Sequence, residues 1–355
     1  MTNLEKMQSV LETESVDALL LTSQTNRLYA AEYDVAEGVA VIGKAKSWYF
    51  TDSRYIEVAQ KYLPAFEVLE VNRQNSYPAR INAALEELGA STMGVEEEYL
   101  TYAEFLHYEK TLNARLKPCQ KSISCFRETK NAWEIELMVK AQQITDKSFL
   151  DVLKVIKEGM TEKELAAELI HILLKNGSDG LAFNPIVVSG PNTSRPHGVP
   201  GDRKLEKGDF ITMDFGAKHE GYCADMTRTV ALGYATDEMV AVYETVLRAQ
   251  QAAIAMTKAG VPGRDVDMTA RQIIEDAGFG PYFGHGYGHG LGIEVHEAPN
   301  CNLGNENPLP VGAVCSAEPG IYIPGKFGVR IEDVVILQED GCRDITESPK
   351  NLIVL

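Results

Sequence analysis

The chain has 355 residues, 45% of them hydrophobic, with ordinary glycine and proline contents, so it is long enough for two domains and a sizeable core. A formal net charge of -17 without a visible basic patch argues against binding to a phosphate backbone, and no apolar run approaches the roughly 18 residues of a membrane span. The charged first 17 residues do not read as a signal peptide, and six irregularly spaced cysteines without a Cys-x-x-Cys pair lead us to expect reduced thiols in the cytoplasm.

From Met1 to residue 126, short apolar strands alternate with helices. A helix ends near Glu14, Ala18 to Leu21 is a buried strand, Gly38 to Ile42 and Trp48 to Thr51 are further strands, and Ala79 to Leu88 is a helix stopped by Gly89. The alternation predicts a small α/β domain over 1–126. It contains no catalytic cluster, and Asp52 and Arg54 beside Tyr55 read as a solvated pair at a strand end. A long helical stretch from Lys130 towards Lys157 opens the second domain, 127–355.

That domain carries an internal repeat. Gly159 and Gly177 lie eighteen residues apart, each closing a helical segment, and Gly260 and Gly278 reproduce the spacing 101 residues later. Thr161 to Asn176 and Gly263 to Ala277 are predicted amphipathic helices. A helix pair followed by strands, occurring twice, predicts an α+β domain with internal pseudo-two-fold symmetry.

In the first half, Asp209 to Gly216 and Tyr222 to Leu232 read as strands around the loop Lys218 to Gly221. Pairing Ala217 with Tyr222 sets Asp214 directly opposite Asp225, with Cβ atoms about 5 Å apart, where two carboxylates repel unless a cation lies between them. Phe283 to Glu297 then places His285, His289 and His296 among glycines, which let a backbone approach a ligand closely. Leu291 to Val295 is predicted as a short strand with His289 at its entry and His296 at its exit. Val311 to Glu318 and Gly328 to Leu337 flank the Pro324-Gly325-Lys326 turn, and a register centred on Gly325 puts Glu318 opposite Glu332. Arg330 shares the face of Glu332, whereas Asp333 points the other way. Four carboxylates and one imidazole without thiolate are hard ligands, suited to two divalent ions such as Mn²⁺. Two such ions about 3.5 to 4 Å apart can share a bridging water, lower its pKa and polarise a carbonyl, which implies hydrolysis.

The pieces Asp214-Phe215-Gly216-Ala217, Asp225-Met226-Thr227-Arg228-Thr229, Gly288-His289-Gly290-Leu291-Gly292, Val295-His296-Glu297, Glu318-Pro319-Gly320-Ile321-Tyr322 and Arg330-Ile331-Glu332-Asp333 together resemble the pita-bread metallopeptidases (family M24B), in the branch of aminopeptidase P, prolidase and creatinase. The first 125 residues resemble the creatinase-type N-terminal domain, less distinctively. The resemblance implies that Asp214, Asp225, His289, Glu318 and Glu332 hold a dinuclear centre, with Asp214 and Glu332 bridging and a hydroxide between the ions. Glu318 would also shuttle a proton to the leaving nitrogen. His197 and His296 would hydrogen-bond the scissile carbonyl oxygen and the tetrahedral intermediate. His285 and Arg330 would line the pocket for the residue after the cleaved bond, and Thr227 would orient the metal-binding carboxylates. Ala224 stands where the family often has serine, with no consequence for the metals.

The activity implied is release of an N-terminal residue from proline, with aminopeptidase P favoured over the alternative of an Xaa-Pro dipeptidase. The metals expected are Mn²⁺, or Co²⁺ or Zn²⁺. Creatinase lacks most of this ligand set, and the N-terminal domain sets the chain apart from methionine aminopeptidase. A non-catalytic interaction module would be expected to have lost ligands that this sequence retains. The resemblance also carries the expectation of a homodimer.

Overall fold

Runs with no polar residue become central strands because both faces must be covered. Ala18–Leu21, buried along its length, lies between Val39–Gly43, antiparallel, and Thr92–Val95, parallel, in a six-stranded sheet. The computed structural model describes residues 1–355, and this sheet belongs to the first of two units, Met1–Arg127 and Glu128–Leu355. Helix Asn3–Glu14 starts on a Thr2/Glu5 capping box, and helix Tyr77–Leu88 stops where Gly89 turns left-handed at φ 63°. Leu20, Val41, Trp48, Phe50, Ile81 and Met93 fill the core of this unit. All six cysteines of the chain are free, and no helix is long and apolar enough to cross a membrane.

In the second unit the repeat is visible in matching hydrogen bonds. Helices Ala132–Val152 and Glu162–Lys175 form one pair, and Asp237–Met256 and Gly263–Asp276 the other. Between the helices of each pair, Gly159 N–H donates to Leu205 O and Gly260 N–H to Leu309 O, both at 2.9 Å. The bridges Thr161↔Lys204 and Pro262↔Pro308 repeat the same contact. The first helix ends at Val152 rather than near Lys157, and the chain then turns towards Gly159 at φ 87°. Each pair packs its apolar stripe on its own strands, one core around Leu169, Met213 and Phe215 and the other around Val246, Ala270 and Val335.

The first hairpin departs from the expected register. Its turn is the dipeptide Glu220-Gly221, with φ of 45° and 89°, a tight connection that fits the strand twist. His219 therefore faces Tyr222, and Asp214 faces Thr227 instead of Asp225. The slip is two residues, which preserves the face, so Asp214 and Asp225 still project to one side but diagonally. At Gly216 the two segments press together, and a Cβ there would lie 1.8 Å from Ala224 O.

The second hairpin keeps the register centred on Gly325, with Gly320 opposite Arg330 and Ala317 opposite Asp333. Glu318 and Glu332 fall at the break where this hairpin passes from a five-stranded to a two-stranded sheet. Leu291 to Val295 is not a strand. His289 lies within the three-residue strand Gly288–Gly290, whose register with Glu297–Cys301 shifts after His289, and 291–296 is a loop between them. Carbonyls and amides of this loop bond sideways, Gly292 O to Cys223 N–H and Leu291 N–H to Val314 O, so no ladder forms.

Candidate metal centre and active site

At the break in the second hairpin, backbone groups that would have paired with each other find other partners. Glu318 N–H donates to Tyr287 O at 2.9 Å, and Glu332 N–H to Thr227 O at 3.0 Å. The second bond ties the two hairpins together, so Glu332 comes beside the Asp214 and Asp225 pair. Gly288 and Gly290 let the His289 strand close in, since a Cβ would lie 2.1 Å from Ser316 O at the first and 2.4 Å from Ala298 O at the second. His289 Nδ1 sits 3.1 Å from Gly290 O. That contact suits an Nδ1–H donor and leaves Nε2 facing the acids, 3.3 Å from Glu318 Oε1 and 3.6 Å from Asp225 Oδ2.

A cavity of about 350 Å³ is lined by all five predicted ligands together with His197, His285, His296 and Arg330. Asp225, His289 and Glu332 offer ligand atoms within 4.8 Å of one another. Asp214 is drawn onto Arg330 Nη2 at 2.5 Å, and Ser316 Oγ donates to Glu318 at 3.2 Å. Buried Asp214 Oδ1, Asp225 Oδ1 and Glu332 Oε1 have no hydrogen-bond partner. Three orphaned carboxylate oxygens around one imidazole are what a hard divalent cation satisfies, so the residues fit such ions.

The electrostatics agree. Burial, then the neighbouring acids Glu332 and Asp214, push the Asp225 carboxyl well above the ordinary range, and burial with Glu318 and Asp214 does the same to Glu332. Burial also raises Asp214, against the pull of Arg330. Glu318 is the exception. Burial pushes it up, but its hydrogen bond to His289 and the charge there hold it at about 2, while His289 is raised by Glu318 to about 9 despite burial. Burial lowers His285 and His296, which favours their neutral forms.

Thr227 lies behind the cavity, fully buried, and its Oγ1 donates to Glu332 Oε2 at 2.7 Å while accepting from Arg330 Nε at 2.9 Å. Thr227→Val removes both contacts at nearly constant volume. We expect it to weaken divalent-metal affinity by about 10- to 100-fold with the fold intact, as checked by metal titration calorimetry. An unchanged affinity would show that Thr227 only packs.

Several cavity residues carried no mark in the sequence. Phe183 and Ile186 form an apolar wall, and Asn300 and Asn302 a polar one. Tyr322 was within reach of sequence reasoning, because it alternates onto the face of Glu318 and Gly320. Its hydroxyl lies 2.9 Å from both His285 Nε2 and Arg330 Nη1. Behind this face, Arg228 donates to Glu332 O and to Asp333 Oδ1, and Asp333 also accepts from Gln250 and Lys350. Asp333 thus points away from the cavity.

Known proteins resemble this chain over nearly its whole length. The model of metallopeptidase family M24 matches residues 136–339, and that of the creatinase/prolidase N-terminal domain matches residues 3–129. The chain is 32% identical to an Xaa-Pro dipeptidase of Pyrococcus horikoshii, over 98% of this chain and 99% of that one. A solved Xaa-Pro dipeptidase from Bacillus anthracis superposes with a TM-score of 0.95 at 37% identity, covering 99% of both chains. An X-Pro aminopeptidase from Thermotoga maritima gives 0.93 at 36% identity, covering 98% of this chain and 100% of that one. With its acid-lined hairpins, creatinase-type N-terminal unit and α+β catalytic unit, the chain belongs to metallopeptidase family M24 and is an enzyme of the pita-bread M24B branch.

Proposed function

We propose that this enzyme is an Xaa-Pro dipeptidase of the prolidase type, cleaving the bond between an N-terminal residue and proline. One observation carries the reading: the complete hard-donor set lines a single cavity in a chain similar to Xaa-Pro dipeptidases over nearly its whole length. That similarity moves the choice away from the aminopeptidase P activity favoured on sequence alone.

Asp214, Asp225, His289, Glu318 and Glu332 would hold two divalent ions, Mn²⁺ in our reading. When bound, such ions supply a nucleophilic water at neutral pH and Lewis acidity at the scissile carbonyl. Glu318, held ionised, takes a proton from the attacking water and passes it to the proline nitrogen. His197 and His296 donate to the carbonyl oxygen as it gains charge. His285 and Arg330 face the proline ring. Because the proline nitrogen carries no hydrogen, recognition there rests on shape rather than on an N–H donor.

A second reading, release of the first residue from longer Xaa-Pro peptides, is favoured by the similarity to the X-Pro aminopeptidase from Thermotoga maritima. A panel of Xaa-Pro, Xaa-Pro-Yaa and Xaa-Ala peptides, assayed after chelation and reloading with Mn²⁺, Co²⁺ or Zn²⁺, separates them. We expect metal-dependent cleavage of Xaa-Pro alone. Preference for Xaa-Pro-Yaa would establish the second reading, and cleavage of neither would point to a binding module.

A further inference from the structure

His296 and Val295 line the cleft, yet both stand on a loop without a ladder of its own. What holds the end of that loop is a buried ion pair. Lys130 Nζ lies 3.3 Å from Glu297 Oε2, with side chains only 1% and 2% exposed. Glu297 Oε1 accepts the Glu294 backbone N–H at 3.0 Å, so this one carboxylate closes the turn through Val295 and His296 and anchors it to Lys130. Lys130 is itself fixed, because its backbone N–H donates to Gly312 O at 2.9 Å. Gly292 makes the space: a Cβ there would lie 2.8 Å from Glu297 Oε2 and 2.9 Å from Lys130 Cε.

We propose that Lys130 and Glu297 are positioning residues for His296, setting the imidazole where it meets the substrate carbonyl. The inference rests on the Xaa-Pro peptidase reading. Neither residue lines the cavity, so neither touches substrate. Their effect passes through the His296 backbone, beside the terminal ladder pair Gly290↔Glu297. Removing one partner of a buried ion pair is strongly destabilising, so loss of Lys130 loosens the turn that Glu297 closes.

The test uses the metal-loaded enzyme with Xaa-Pro substrate. Lys130→Met should lower kcat by about 10- to 100-fold, the scale of an ångström-sized misplacement, with KM and metal stoichiometry near wild type. Lys130→Arg should restore most of the rate. In a His296→Ala background, Lys130→Met should have almost no further effect, whereas a merely structural role would give the same loss in both backgrounds. Should Lys130→Met fail to fold, Glu297→Gln, which keeps an acceptor for Glu294 N–H, takes its place. Amide hydrogen exchange adds a readout independent of turnover, with faster exchange expected in residues 291–296 of the variant. Additive losses, or unchanged rate and exchange, would overturn the proposal. Absence of any Xaa-Pro cleavage by the wild type would instead reject the peptidase reading, leaving hydrogen exchange to decide the role of the ion pair.

Discussion

Asp225→Asn is expected to abolish turnover, by more than the roughly 100-fold that bounds changes to the outer partners of a metal site, without unfolding the protein. Asp225 is buried, one oxygen has no partner, and three other acids raise its carboxyl. An amide of the same shape removes a negative charge from this repulsive cluster while deleting a proposed ligand. The metal-free variant should therefore melt at or above the temperature of metal-free wild type, although it binds less metal. His289→Ala should lose activity equally but leave a void. Elemental analysis, steady-state kinetics and calorimetry on the three proteins check this. Two bound ions and wild-type rates in Asp225→Asn would defeat the assignment of the centre.

Chelated protein should lose thermal stability as pH rises from 5 to 9, and Mn²⁺ should restore it most at the upper end. The sign follows from proton binding. Asp225 and Glu332 titrate well above their ordinary values in the fold, so above those values the folded metal-free chain holds more protons than the unfolded one. Stability then falls with rising pH. His289 acts in the same direction, because a group raised to about 9 contributes fully below its ordinary 6.5 and loses that contribution as pH climbs to 9. Asp344, raised to about 6 chiefly by burial and Asp333, adds to the lower part of the window. Glu318, held at about 2, contributes above its ordinary 4.5 and loses stability only towards pH 2, outside this range. Metal binding requires the deprotonated ligands, so its stabilising effect grows as theirs disappears. An Asp225→Asn/Glu332→Gln variant should flatten the slope, separating the cluster from the overall charge of -17. A chelated wild type that melts higher at pH 9 than at pH 5 would contradict the argument.

The donor chemistry was legible in the chain because it depends on residue type and on period-two alternation. The register centred on Gly325 could be read directly, since an odd, glycine-centred turn allows one symmetrical pairing. The first hairpin could not, because Lys218 to Gly221 permits two turns whose difference lies in positive φ at Glu220. Strand alternation forgave that error, as a two-residue slip keeps each side chain on its face. The supposed strand Leu291–Val295 had suitable residues, but its backbone partners are Cys223 and Val314, distant in sequence.

By itself, the sequence indicated most of the elements, the doubled helix-pair plan and a candidate set of hard donors, because propensity, periodicity and side-chain chemistry are local. Only the tertiary structure decided how the two hairpins meet through Glu332 and Thr227, and that Lys130 pairs with Glu297, the residue next to His296. Those contacts join residues over a hundred positions apart. They form because burial leaves each charged or polar group only the partners that folding brings within reach.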